Sequence, residues 1–362
     1  MVNSFGTRFK ITTFGESHGK ALGVVVDGVP AGLTIDEVFI QSEMDRRKPG
    51  TNKLTTKRKE SDKVQILSGV FEGVSTGTPI GILIVNENQK SKDYDNIKDI
   101  FRPGHADMTY FFKYGLRDFR GGGRSSARET ACRVASGAIA KLILNTLNIK
   151  ISSGVSQIGD IKAKKINFEY AKESDIYALD ETVEQSQKDL IKKTMRQKDS
   201  VGAVVKIKVD NCPVGLGEPM YHKVDAKLFE ALGGLNAVKA VSIGAGFGVG
   251  LLKGSQNNDK ITKDGFSTNN SGGILGGITN GDDIDIDVYF KPTPSISKPQ
   301  QTIDTNGANV CCEIKGRHDP CVGIRGSVVC ESMVAIVLVD MLLLNTTSKM
   351  QNILKIYGTT KK

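Results

Sequence analysis

The run Arg120-Gly121-Gly122-Gly123-Arg124-Ser125-Ser126, with the small apolar segment behind it, constrains this chain more than any other stretch. Ser126-Ala127-Arg128-Glu129 has the form of a capping box, and Ala131, Val134, Ala135, Ala138 and Leu142 recur at helical spacing. The pattern predicts a helix of about five turns ending near Asn145. Three glycines allow unusual backbone angles and close approach, while a helix start presents unpaired N–H groups with partial positive charge. That geometry binds phosphate. Arg124 and Arg128 sharpen it, because cations at a helix N-terminus oppose the dipole unless an anion lies between them. The plainer alternative has Ser126 capping the helix with both arginines in water; two arginines and three glycines together favour a ligand. The run is neither a Walker A loop nor a GxGxxG dinucleotide motif.

Around this helix the pattern is mixed. Phe9–Thr13, Leu22–Asp27, Val64–Leu67, Ile80–Val85 and Val238–Ile243 read as strands, and Val205, Ile207 and Val209 alternate with Lys206 and Lys208. Thr34-Ile35-Asp36-Glu37 predicts a helix over Ile35–Arg46, and Asp107 an N-cap for Met108–Tyr114. Further helices are expected over Glu184–Lys198, over Asp225–Leu232 and, buried, over Val328–Asn345. Asn280-Gly281 predicts a hairpin joining Gly273–Thr279 to Ile284–Phe290. Strands and helices do not alternate as βαβ units and no linker stands out, so we expect one α+β domain over residues 1–362. Gly254–Asn270, rich in Asn, Lys and Ser, is the expected mobile loop.

The net charge of +9 favours an acidic partner. The basic segment Arg46–Lys59 contains no aromatic residue to stack on single-stranded bases, which argues against nucleic acid. Six cysteines without a CxxC pair, and no signal segment, point to reduced thiols in the cytoplasm. Met333–Leu344 is short for a membrane span and contains Asp340, so no membrane association is expected.

Two of the four histidines lie in glycine-bearing turns, Glu16-Ser17-His18-Gly19 and Gly104-His105-Ala106-Asp107. Histidine titrates near neutrality and suits proton transfer, although a hydrogen-bonded structural role is as good a reading from these residues alone. Metal binding is disfavoured, since no His/Cys pair has ligand spacing within either turn. Arg317-His318-Asp319-Pro320-Cys321 forms a third polar knot, and Lys291-Pro292-Thr293-Pro294-Ser295 a rigid extended turn.

Taken together, these segments resemble the chorismate synthase family, monofunctional bacterial type. The matching stretches are Thr13–Gly19, Asp45–Gly50, Phe101–Asp107, Gly121–Thr130 and Gly316–Cys321, and the likeness spans nearly the whole chain. It implies a β-α-β sandwich of antiparallel sheets around central helices. The implied reaction is a 1,4-trans elimination of phosphate from 5-enolpyruvylshikimate 3-phosphate, giving chorismate, with reduced FMN required although the reaction is redox-neutral. Homotetramers are implied as well.

Carried onto this chain, the family's catalytic residues fall on His18, near the leaving phosphate, His105, which protonates the reduced flavin, and Asp319, which assists proton removal at flavin N5. Flavin contacts fall on Arg124, Ser125, Ser126, Asn236, Ala237, Gly276, Lys291, Pro292, Thr293, Pro294, Ser295 and Arg317. Substrate contacts fall on Ser17, Arg46, Arg102 and Arg128, and a nicotinamide (NADP) contact on Arg47 and Lys53. The chemistry of the residues agrees: a multiply anionic substrate needs several cations, and a developing charge needs preorganised donors. The chain departs from the family at Lys48 and Lys53, where arginine is usual; lysine keeps the charge but loses the bidentate fork. With no large insertion to carry reductase activity, reduced FMN is expected from an external flavin reductase. The competing classes, a nucleic-acid-binding protein and a nicotinamide-consuming flavin oxidoreductase, predict salt-sensitive DNA or RNA retention and net NAD(P)H consumption respectively.

Overall fold

The structure is a computed structural model that describes residues 3–50, 54, 60–88, 97–314 and 319–358. Two five-stranded sheets enclose a layer of helices. The first runs Ser4–Phe5, Lys10–Gly15, Ala21–Asp27, Ile80–Val85, Val64–Ile66, antiparallel throughout. The second runs Val238–Ile243, Ile284–Phe290, Ala203–Asp210, Lys150–Ile158, Ile161–Lys162, also antiparallel. In the second sheet Val205 faces Val288 and Ile207 faces Ile286, all fully buried, while Lys206 and Asp285 project outward and pair at 2.6 Å. Period-two alternation thus sends one face to the helices and one to solvent. The α+β sandwich expected from the sequence is the fold observed.

Helix Thr130–Thr146 packs on the first sheet and Gly323–Asn345 on the second, and the two cross each other. Small residues permit the crossing. A Cβ built on Gly137 would lie 2.3 Å from that of Ser332, and one on Gly326 would lie 2.6 Å from the Phe290 ring. Helices Glu37–Arg47 and Val224–Gly233 complete the layer. A continuous apolar core runs from Phe9 to Met341 through all these elements.

Several local expectations are revised. The first helix starts at Glu37 with Asp36 as its N-cap, its carboxylate accepting from Phe39 N at 2.9 Å; Thr34 is instead bridged to Val74. Gly276-Gly277, not Asn280-Gly281, turn the hairpin between Ile274–Leu275 and Ile278–Thr279, and Ile284–Phe290 inserts between two other strands. Gly254–Asn270 contains a helical turn, Gly254–Asn257, and a small hairpin, with Asp259 accepting from Thr268 Oγ1 and from the amides of Asn270 and Ser271. The last core helix spans 23 residues, long and apolar enough to cross a membrane, but 83% of its apolar window is buried within the protein. Asp340, on that helix, accepts the amides of Thr7, Arg8 and Phe9.

Candidate active site

The first sheet delivers the His18 turn. Strand Lys10–Gly15 ends at Gly15, φ +87°, and Gly19 N closes the turn on Glu16 O at 3.1 Å. Ser17 is buried, and its Oγ lies 3.0 Å from His18 Nδ1. Where the hydroxyl donates to a neutral ring, Nε2 bears the proton.

The second turn, Arg102–Asp107, is held by ions. Asp107 does not cap helix Asp107–Tyr114: its carboxylate accepts from Arg102 N, Nε (2.7 Å) and Nη2 (2.7 Å), and pairs with Arg117 at 2.9 Å. Against the opposing effect of burial, Arg102 and the His105 ring beside it hold the Asp107 pKa far below the usual carboxylate range. His105 Nδ1 meets two groups, Arg102 Nη2 at 3.2 Å and Asp107 Oδ1 at 3.3 Å. Burial lowers the His105 pKa, outweighing the Asp107 carboxylate, and where Arg102 donates to Nδ1 the proton of the neutral ring sits on Nε2.

Gly121 and Gly122 bring the two turns together. A Cβ on Gly121 (φ +82°) would lie 2.3 Å from His18 Nδ1 and 3.0 Å from Ser17 Oγ, and one on Gly122 would lie 3.2 Å from His105 Cε1. The strand of glycine backbone therefore runs against both imidazoles, fastened by Arg102 Nη2 donating to Gly121 O at 3.0 Å. Glu16, Tyr110, Gly122, Gly123 and Ser125 line a cleft beside it.

The expected flavin segments meet the same cluster. Lys291 Nζ donates to Gly104 O at 2.8 Å, Pro294 packs on Gly104, and Lys291 N bonds Ala237 O at 2.9 Å. Asn236 Nδ2 donates to Ser125 O at 2.5 Å. Ser200 Oγ donates to Thr293 O at 2.7 Å while Val201 N bonds Pro320 O, which ties the Asp319 loop to the Lys291–Ser295 turn. Asp319 is paired with Arg325 at 2.6 Å. Gly276 lies at the turn of its hairpin, with open space where a Cβ would stand. Lys53, Arg317 and His318 fall outside the described residues.

The Gly-Arg-Ser run is more tightly wound than expected. It forms two 3-10 turns, Gly123–Ser125 and Ala127–Glu129, before helix Thr130–Thr146, and Ser126 Oγ accepts from Arg128 N. Glu129 turns to Arg133 and Thr13 rather than back to Ser126. Arg124 binds Thr13 O and Oγ1 and Gly15 O, so its guanidinium braces the strand that leads into the His18 turn.

The remaining arginines are committed to buried carboxylates. Arg47 and Arg128 both contact Asp62, all three buried, and Arg128 Nε also donates to Asn86 Oδ1 at 2.8 Å. Burial brings Arg47 down to about 10, and the two guanidiniums hold Asp62 at about 2. Arg47, with no exposed surface, is closed to a nicotinamide in this arrangement. Arg46 pairs with Glu43 and Glu331 at 2.8 Å, Lys141 bridges the same carboxylates at 2.5 and 2.6 Å, and Ser153 Oγ donates to Glu331. Asp62, Asn86, Arg325 and Glu331 were not foreseen as part of the site's surroundings, because nothing local marks a lone polar residue whose partners lie in distant segments.

The residues fit a flavin mononucleotide. Thr293 Oγ1 is buried without a hydrogen-bond partner among the described residues, within the turn expected to contact the flavin. Lys291 and the amide-rich glycine turn beside it supply donors suited to an anionic ring and a phosphate.

The chain is similar to known proteins. The family model described as chorismate synthase matches residues 9–343. A chorismate synthase of Aliarcobacter butzleri is 63% identical over 98% of this chain and 99% of its own length. One of Sulfurimonas denitrificans is 62% identical with the same coverage of both chains. A solved structure titled "Crystal Structure of Chorismate Synthase" superposes with a TM-score of 0.76 at 31% identity, covering 97% of this chain and 96% of the other.

Proposed function

The chain belongs to the chorismate synthase family, and we propose that the glycine-joined pair His18 and His105, together with Asp319, forms the centre in which it works. As a member it is a carbon–oxygen lyase that catalyses the last step of the shikimate pathway. The proposed chemistry is the FMN-dependent 1,4-trans elimination of phosphate from 5-enolpyruvylshikimate 3-phosphate. The observation that carries the assignment is the contact of Gly121 with His18 and of Gly122 with His105, which sets two imidazoles from distant segments on one backbone strip.

In this reading His18 donates from Nε2 to the departing phosphate, with Ser17 holding its Nδ1. His105, neutral and oriented by Arg102 and Asp107, presents Nε2–H to the flavin. Asp319, paired with Arg325, takes part in removing the substrate proton. Lys291–Ser295, Arg124, Ser125, Ser126, Asn236 and Ala237 would hold reduced FMN, which supplies, when bound, reducing power that the net reaction does not consume. Arg46, Arg102 and Arg128 act by shaping the floor of the site, since all three are paired with carboxylates, Arg102 with Asp107.

We further propose a single folding unit, four copies of which associate, working in the cytoplasm with an external flavin reductase. The continuous core, the six free thiols and exposed apolar side chains such as Tyr221 and Leu251 support this. The test is anaerobic turnover with photoreduced FMN and the enolpyruvyl phosphate. Chorismate and phosphate are expected in equal amounts, and His105→Ala should lower kcat at least about a hundredfold while substrate binding changes little. Loss of substrate affinity with kcat preserved would remove His105 from the reaction.

A further inference from the structure

Asn86 lies just past the end of strand Ile80–Val85 and is 7% exposed. Its side chain makes three bonds of defined polarity. Nδ2 donates to Glu16 O at 3.0 Å and to Gly19 O at 2.8 Å, and Oδ1 accepts from Arg128 Nε at 2.8 Å. Its backbone N–H adds a fourth bond, to Lys20 O at 3.1 Å. The two carbonyls held by Nδ2 flank Ser17 and His18, so one amide closes the turn from both ends.

Only an amide satisfies this arrangement. A carboxylate keeps the Arg128 bond but sets oxygen against two carbonyl oxygens, and a shorter side chain reaches neither. The far end is equally fixed. Arg128 is locked on Asp62, Asp62 on Arg47, and the Arg47 carbonyl accepts from Arg325 Nε at 3.0 Å, whose Nη1 holds Asp319.

We propose that Asn86 is a positioning residue that fixes the His18 imidazole against Gly121, and that it anchors His18 to the buried Arg128–Asp62–Arg47–Arg325 chain ending at Asp319. The proposal rests on the catalytic reading of His18 given above. It predicts that Asn86 acts through His18 and not through His105, whose turn is held by Arg102 and Asp107 instead.

A double-mutant cycle on the full-length enzyme separates these roles. Asn86→Asp should lower kcat about 30-fold with KM for the enolpyruvyl phosphate within about threefold. In a His18→Ala background the same change should cost less than about threefold, while in a His105→Ala background it should keep its full effect. An undiminished loss in the His18→Ala background overturns the positioning role. A His18→Ala enzyme as fast as the parent overturns the catalytic reading of His18 instead. If Asn86→Asp does not fold, Asn86→Ser takes its place in the same cycle, with the same outcomes on either side.

Discussion

At the scale of single residues, the site depends on what two glycines lack. Gly121 combines a positive φ of +82° with a side-chain direction aimed at His18 Nδ1, 2.3 Å away. A methyl group there is strained twice, by the left-handed backbone and by collision with the imidazole. We expect Gly121→Ala to lower kcat by at least about tenfold through displacement of His18, with only a modest loss of stability of about 1–2 kcal/mol. Steady-state kinetics beside urea unfolding would check it; parent-like kcat with the His18 ring unmoved would contradict it. The glycines were legible in the sequence as a place of close approach. What they approach was not, because nothing local to the run points to the two histidine rings packed on the strip.

At the scale of elements, ions fasten the helices together. Glu43 on helix Glu37–Arg47, Lys141 on Thr130–Thr146 and Glu331 on Gly323–Asn345 meet in the interior, and Asp62 joins the first helix, through Arg47, to the 3-10 turn that leads into the second, through Arg128. A carboxylate with a lowered folded-state pKa contributes stability that is present above its unfolded value and lost as pH falls toward the folded one. Asp62, moving from 3.8 to about 2, acts between about pH 4 and pH 2, and Glu331 and Asp107 are lowered too. His105 is a base with a lowered pKa, so the unfolded chain binds a proton first and stability already falls as pH drops below 6.5. Urea midpoints are therefore expected to decline gently below pH 6.5 and steeply below about pH 4. Asp62→Asn should cost about 3–5 kcal/mol at pH 7, because it leaves buried guanidiniums unpaired, and should show a shallower loss between pH 4 and pH 2. A parallel pH dependence in the variant would contradict this role. Little of this network was legible from local sequence. Arg46, Arg47 and Arg128 looked like ligand-facing cations; Glu43 stands at i,i+3 to Arg46, but Asp62 and Glu331 show no spacing that points to them. Element positions, by contrast, were well marked where β-branched and apolar residues gather in a short run, as in Ile80–Val85 and Val238–Ile243, whose observed bounds are those expected. They were misjudged where a turn signal competed, as at Asn280-Gly281, whose hairpin is made by Gly276-Gly277 instead.

At the scale of the whole molecule, the sandwich collects loops at one place. The His18 turn follows the second strand of the first sheet, the Lys291–Ser295 turn follows the strand Ile284–Phe290 of the second, and Gly121–Ser126 precedes the helix between them. Their convergence, with Arg102–Asp107 and the Asp319 loop fastened around them, is the central claim. The crystal structure of the enzyme with oxidised FMN and 5-enolpyruvylshikimate 3-phosphate tests it most directly. Both ligands should lie in one hollow, the flavin against His105 and Lys291–Ser295 and the phosphate of the substrate beside His18. Ligands found on separate faces, or a flavin remote from the Gly121–Gly122 strip, would contradict it.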